Sequence, residues 1–176
     1  TARSRGLGDV YKRQMYYSAA LVVMLALHPG ALVNASDDPS ARAILVPGSG
    51  TYSRTISTDN SQAQAFFDQG LRLAWGFYFP ESIASYQEAS RLDPTHPMPY
   101  WGMAHAMGPN PNSRYARMPD DPKGEGLKAI KNAMDRIDRA SALEAKLIRA
   151  LFVLYDKEAI ADPDARDQAY LAAMRA

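Results

Sequence analysis

Three histidines, His28, His96 and His105, and no cysteine make up the metal-ligating nitrogen and sulfur side chains of this chain. The missing cysteines exclude a disulfide framework, a thiol nucleophile and a thiolate-bound zinc. Imidazole can act as a general base or a metal ligand. No H-E-x-x-H spacing occurs, however, and scattered histidines do not make a metal site. His96 lies between prolines in "DPTHPMP" and reads as a solvated turn residue. His105 stands four residues after Trp101, on the same side of a helix. It reads as a packing histidine, the alternative being contact with a partner. The pairs Asp37-Asp38 and Asp120-Asp121 are adjacent in turns. General acid–base work needs carboxylates that converge across a cleft, so these read as caps and loops. The serines of "PGSG" and "SGTYS" lack the strand–turn–helix setting of a hydrolase or a phosphate loop. Asn34-Ala35-Ser36 matches a glycosylation acceptor by chance, since it straddles a cleavage pattern described below. No catalytic residue, metal or cofactor is expected, and the chain does not read as an enzyme.

The richest recognition chemistry falls in "GPNPNSRYARMPDDP", Gly108 to Pro122. A loop of about fifteen residues without a helical period is unusual inside a compact domain and is often functional. Asn110, Asn112, Arg114 and Tyr115 offer hydrogen bonds, positive charge and an aromatic face. The alternative is a proline-braced seal between neighbouring helices.

These residues must be positioned by helices. Phe66, Gly70, Leu73 and Phe77 fall on one helical face, with Phe67, Leu71 and Ala74 beside it. Pro80 fits the first turn of a second helix, with Ile83, Tyr86, Ala89 and Leu92 as its stripe. Asp93-Pro94 ends it, because a residue before proline avoids the α region. A third helix is expected from Met98 to Met107. Asp121-Pro122 opens a fourth, with Leu127, Ile130, Met134 and Ile137. Ser141 and Glu144 form an S-x-x-E capping box. It opens a fifth helix with Leu147, Leu151 and Leu154 inward and Ile148, Phe152 and Tyr155 beside them. Asp162-Pro163 opens a sixth. No strand is expected from Gln62 onward, so the fold class is all-α.

A 34-residue helix–turn–helix unit fits this pattern. Begun at Ala63, it has an early aromatic at Phe66, a small crossing residue at Gly70, an aromatic at Tyr86, a small residue at Ala89 and a terminating Pro94. The next unit, from Pro97, places Tyr100 and Ala104 in register. Its second helix arrives only after an insertion on the order of ten residues, the proline-rich loop. The stretch therefore resembles a tetratricopeptide repeat. "FDQGL", "WGMA" and "GPNPN" further resemble a family of bacterial tetratricopeptide-repeat proteins, over most of Thr51 to Ala176. The resemblance implies a right-handed α-solenoid of antiparallel helix hairpins, about six helices in all. It implies an exported or envelope-associated protein and brings no enzymatic activity. Close packing explains the small residues: helix axes approach to about 8–10 Å only where the crossing residues are small.

The remaining sequence bounds the reading. The chain has 176 residues, 47% hydrophobic and 22% charged, with a formal net charge of +1. That suits one globular domain and gives no reason to expect nucleic acid. Residues 1–14, "TARSRGLGDVYKRQ", resemble a translated sequencing adapter and are set aside. Residues 15–35 read as a signal peptide. The apolar run Ala19 to Leu27 is shorter than the roughly 20 residues a membrane span needs, and Val33 and Ala35 suit a small-residue cleavage site. An exported, periplasmic or secreted chain that does not span a membrane is expected. Residues 36–61 form an irregular lead-in packed along the first helices, and 62–176 the helical domain, expected to continue beyond this sequence.

The expected function is a scaffold that binds a peptide or partner protein in a concave groove. Gln69, Arg72, Trp75 and His105, with the loop residues Asn110, Asn112, Arg114 and Tyr115, are the candidate partner-binding residues. Gln69 and Arg72 are chosen because they are polar positions on an apolar helix. The alternatives are an enzyme or small-ligand domain with a pocket under the Asn110/Asn112 loop, and a structural spacer.

Overall fold

The computed structural model describes residues 42–108 and 118–175. The adapter-like stretch, the signal-peptide stretch and the loop residues Asn110, Asn112, Arg114 and Tyr115 lie outside the described residues. Among the described residues six α-helices follow one another: α1 (Ser61–Trp75), α2 (Phe79–Leu92), α3 (Met98–Met107), α4 (Pro122–Met134), α5 (Ala142–Tyr155) and α6 (Pro163–Arg175). One 3-10 turn, Ile137–Arg139, joins α4 to α5. The described residues contain no strand and are all-α. No described helix is long and apolar enough to cross a membrane.

The helix ends follow local chemistry. Asn60 caps α1, its side chain accepting from the Gln62 and Ala63 amides. Asp121 caps α4 by accepting from the Gly124 amide at 2.9 Å, with Pro122 at the first position. Ser141 and Glu144 make the expected capping box: Glu144 Oε2 accepts from the Ser141 amide at 2.6 Å, and the Glu144 amide donates to Ser141 Oγ. Each cap satisfies amide donors that the first helical turn leaves free.

Helix α1 ends close to Gly76, as its residue spacing and the following Pro80 suggest, but Phe77 does not continue its apolar face. Phe77 is not helical; it sits in the left-handed region at φ +64°. The Phe77 amide donates to Ala74 O and the Tyr78 amide to Leu73 O. This is a Schellman closure with phenylalanine where glycine is usual. Gly76 lies one position too early to relieve it. Helix α4 likewise ends at Met134, leaving Ile137 in the 3-10 turn.

Each helix packs on the next, and α1 also touches α3, as α3 touches α5. Tyr86 on α2 is the pivot. It is fully buried, with Phe67 at 5.5 Å between ring centroids. A Cβ added at Gly70 would stand 2.6 Å from the Tyr86 ring, and one at Gly102 closer still to the same ring edge. The two glycines thus let the backbones of α1 and α3 close on one aromatic ring. Ala89 is fully buried as well. Further along, Trp101 Nε1 donates to Leu147 O at 3.2 Å and Tyr155 Oη donates to Ala104 O at 2.6 Å. The buried side of α5 is Ala145, Ile148, Leu151 and Tyr155. Leu147 and Leu154, expected inward, are only partly buried at the edge of the core. Rotation of the helix is decided by Tyr155 reaching α3, which a stripe of leucines does not reveal.

Candidate functional site

The polar side of α1 carries Gln64, Asp68, Gln69 and Arg72, a helical row with Gln69 beside it. Helical spacing brings residues three and four apart onto one surface. The irregular segment 44–57 lies along that row, within the same compact unit as the helices. Its contacts are to its main chain. The Ile56 amide donates to Gln64 Oε1 at 2.9 Å, and Gln64 Nε2 donates to Arg54 O at 3.0 Å. The Arg54 amide donates to Asp68 Oδ1 at 2.9 Å. Arg72 Nη1 donates to Tyr52 O at 2.8 Å. Residues 52, 54 and 56 alternate, so their amides and carbonyls lie on one edge of an extended chain. Helix α1 binds that edge with side chains, much as a neighbouring strand would with its backbone.

Beyond the turn at Pro47–Ser49, the chain comes back to the same helix. The Val46 amide donates to Gln69 Oε1 at 2.7 Å. Gln69 Nε2 donates to Ile44 O at 2.9 Å and to Ser85 Oγ at 3.0 Å. Two side-chain contacts accompany these main-chain bonds. Ser53 Oγ donates to Asp68 Oδ2 at 2.7 Å, and Ile56 is the one residue of 42–57 that is buried.

The sequence-derived candidates are therefore placed unevenly. Gln69, expected on an open groove, is 2% exposed, closed over by the 44–46 segment and by Ser85. Arg72 holds Tyr52 O and Ser49 Oγ. Trp75 is 73% exposed and walls a cleft of about 420 Å³ together with Ser49, Gly50, Thr51, Tyr52 and Arg72. His105 stacks on Trp101 at 5.1 Å between ring centroids, half-buried. Its Nδ1 has no hydrogen-bond partner among the described residues, and burial holds its pKa below the ordinary imidazole value. Gln64 and Asp68 went unnoticed in the sequence. A lone aspartate at 7% exposure in a helix middle can be recognised only once its partners are known.

His96 is a second correction. It is 3% exposed, not solvated. Its Nε2 lies 3.0 Å from Ser57 Oγ, and Ser57 Oγ donates to Glu144 Oε2 at 2.5 Å. Serine, histidine and glutamate in contact invite comparison with an acyl-transfer triad, in which serine gives its proton to histidine and histidine donates to the acid. Here the order is different. The Met98 amide donates to His96 Nδ1 at 3.2 Å, so Nδ1 is unprotonated and Nε2 carries the hydrogen. His96 donates to Ser57, and Ser57 donates to Glu144. In that tautomer the imidazole has no lone pair facing the hydroxyl, and the arrangement differs from that of a triad. It acts as a tether: Glu144 Oε1 also accepts from the Ser57 amide at 2.8 Å. Thr58 Oγ1 donates to Asp93 Oδ2 at 2.6 Å beside it. The tether fixes the end of the extended segment to the α2–α3 turn and to α5. It borders a polar cleft of about 930 Å³ that Asn60, Asp93 and Arg139 also line.

Burial pushes the Glu144 carboxyl up, but its hydrogen bonds from Ser57 and Ser141 outweigh this and leave it below the ordinary glutamate value. Burial holds His96 below its ordinary value, against the pull of Glu144 and Asp93. Among the described residues, no group of three or more histidine and carboxylate side chains is placed to hold a metal ion. Comparison with protein-family models, with curated proteins and with solved structures finds no match to this chain.

Proposed function

We propose that this chain is a tetratricopeptide-like scaffold that holds an extended segment of a partner protein along the polar side of α1. The observation that carries the reading is the set of main-chain groups from Tyr52 to Ile56 bound by Gln64, Asp68 and Arg72. Side chains that grip amides and carbonyls bind extended chain with little regard to sequence, and pockets for particular side chains add selectivity. The order of helix packing, with α1 touching α3 and α3 touching α5, supports an array of hairpins. Gly70, Ala89 and Gly102 at the tight crossings support it further. The apolar run Ala19 to Leu27, followed by Val33 and Ala35, supports export of the scaffold.

The test is an overlay of the labelled full chain on an array of short unstructured peptides. Asp68→Ala with Arg72→Ala removes hydrogen bonds to charged groups, each contributing about 1.5–3 kcal/mol. Binding should fall roughly a hundredfold while far-ultraviolet circular dichroism is unchanged. Binding that survives both substitutions would rule out the α1 face as the recognition surface.

A further inference from the structure

Residues 44–57 are held by polar contacts and almost no apolar burial. Ile44 is 74% exposed, Leu45 47%, Val46 49% and Tyr52 56%, and only Ile56 is buried. Segments with few buried apolar contacts open at a fraction of the global cost of unfolding. The receiving face behaves differently. With the segment in place Asp68 and Gln69 are 7% and 2% exposed, Asp68 under Ser53 and Arg54 and Gln69 under residues 44–46. Stripped of the segment, Asp68 loses its bonds from Ser53 and Arg54 and Gln69 its bonds with Ile44 and Val46, and another donor and acceptor set must replace them. The face therefore favours being covered, while the segment covering it is anchored by hydrogen bonds and hardly at all by apolar burial.

We infer that residues 44–57 are a displaceable internal occupant, and that the face takes from a partner an extended segment of the pattern Ser/Thr-x-x-Ile/Val. This inference rests on the scaffold reading above. The pattern is that of Ser53-Arg54-Thr55-Ile56. A small hydroxyl residue reaches Asp68 Oδ2, and three residues on a β-branched aliphatic fills the socket of Ile56. Between them the main chain offers the amides that Asp68 and Gln64 accept. In an extended chain the two positions face opposite sides, as a hydroxyl to the helix rim and an aliphatic to the core require. The His96–Ser57–Glu144 tether keeps the released segment close to its site. A partner must therefore outcompete a high local concentration of the internal segment.

The experiment uses the full chain and a fluorescein-labelled peptide of its own residues 43–57, followed by anisotropy. Val46→Pro and Arg54→Pro delete amides that donate to Gln69 and Asp68, and Ser53→Ala deletes the hydroxyl, all without touching α1. The triple variant should bind the peptide at least about tenfold more tightly than the unaltered chain. A peptide with Ser53→Ala and Ile56→Asp should bind neither. Equal affinity of both chains for the peptide overturns the inference and leaves the scaffold reading standing. Binding by neither chain overturns both. Native-state hydrogen exchange of the unaltered chain guards against misfolding of the variant. The Val46, Arg54 and Ile56 amides should exchange by local opening, faster than those of α2. Exchange of these three amides only at the rate of global unfolding would show a fixed part of the fold and sink the inference.

Discussion

Replacing Gly70 with alanine sets two effects of opposite sign against each other. In an exposed helix the change would stabilise by about 1 kcal/mol, through helix propensity. Here the new Cβ would stand 2.6 Å from Tyr86 Cε1 and 2.8 Å from Cδ1 and Cζ. The neighbour is an aromatic ring, fully buried, with Gly102 closing on the same edge from α3. It cannot swing away as the end of a lysine could. Overpacking of a filled core costs about 1–3 kcal/mol, and a rigid, doubly confined ring belongs at the upper end. The expected net is a loss of about 2 kcal/mol, the difference between about 3 and about 1. For a chain of this size that corresponds to roughly 4–8 °C in Tm. Urea unfolding followed by circular dichroism at 222 nm measures it. A background of Tyr86→Leu supplies the control. With the ring gone, Gly70→Ala should become neutral or stabilising, so the pair should show a coupling of about 2–3 kcal/mol. A stabilising Gly70→Ala in the unaltered background would refute the close-crossing argument. So would the same loss with and without the ring.

Two further outcomes follow from the described geometry. Stability should fall on acidification in two stages. His96 is held below its ordinary 6.5 by burial, and its Nδ1 must stay unprotonated to accept from Met98. Burial opposes ionisation of Glu144 and Asp93, yet their hydrogen bonds leave both below their ordinary 4.5 and 3.8. All three groups bind protons more readily in the unfolded chain, so stability is fully present above the unfolded values. It is lost first as pH falls through 6.5 and then as it falls through 4.5 and 3.8. Urea midpoints at pH 7.5, 5.5 and 3.5 would show this, and His96→Gln should reduce the first stage, to which buried His105 also contributes, while leaving the second; a midpoint that rises from pH 7.5 to 5.5 would contradict the tautomer. Separately, Phe77→Gly should raise stability by about 1 kcal/mol, because a left-handed residue with a Cβ carries a penalty of about 1–2 kcal/mol, partly offset by the lost edge contact with Phe79. Thermal unfolding checks this, and a lower Tm for the glycine variant would show that the turn is not strained.

Much of the helical frame was legible because its signals are local. Asp121-Pro122, Ser141-x-x-Glu144 and Asp93-Pro94 act on backbone groups within one turn, and each marks a helix end where it was expected. Of the two stripes read on α1, Phe67, Leu71 and Ala74 are buried, whereas Phe66 and Leu73 are only partly buried and Phe77 is exposed. The candidate site was only half legible. Arg72 and Gln69 stood out as polar residues on an apolar helix, but what they touch is about twenty residues away in sequence. His96 misled because flanking prolines usually mean a solvated turn. Its partners Ser57 and Glu144 come from segments far apart along the chain.

The sequence alone therefore determined that the described part of this chain is helical, where most of its helices begin, and which glycines and alanines permit close crossings. Periodicity, caps and prolines act over a few residues, so no knowledge of the rest of the chain is needed to read them. Only the tertiary structure decided that the lead-in lies extended on α1, that Tyr86 is the ring both glycines accommodate, and that His96 is a buried donor. Those facts depend on which distant groups satisfy one another's hydrogen bonds and fill one another's space. A buried polar side chain accepts whatever partner the fold delivers, and its own position in the sequence does not name that partner.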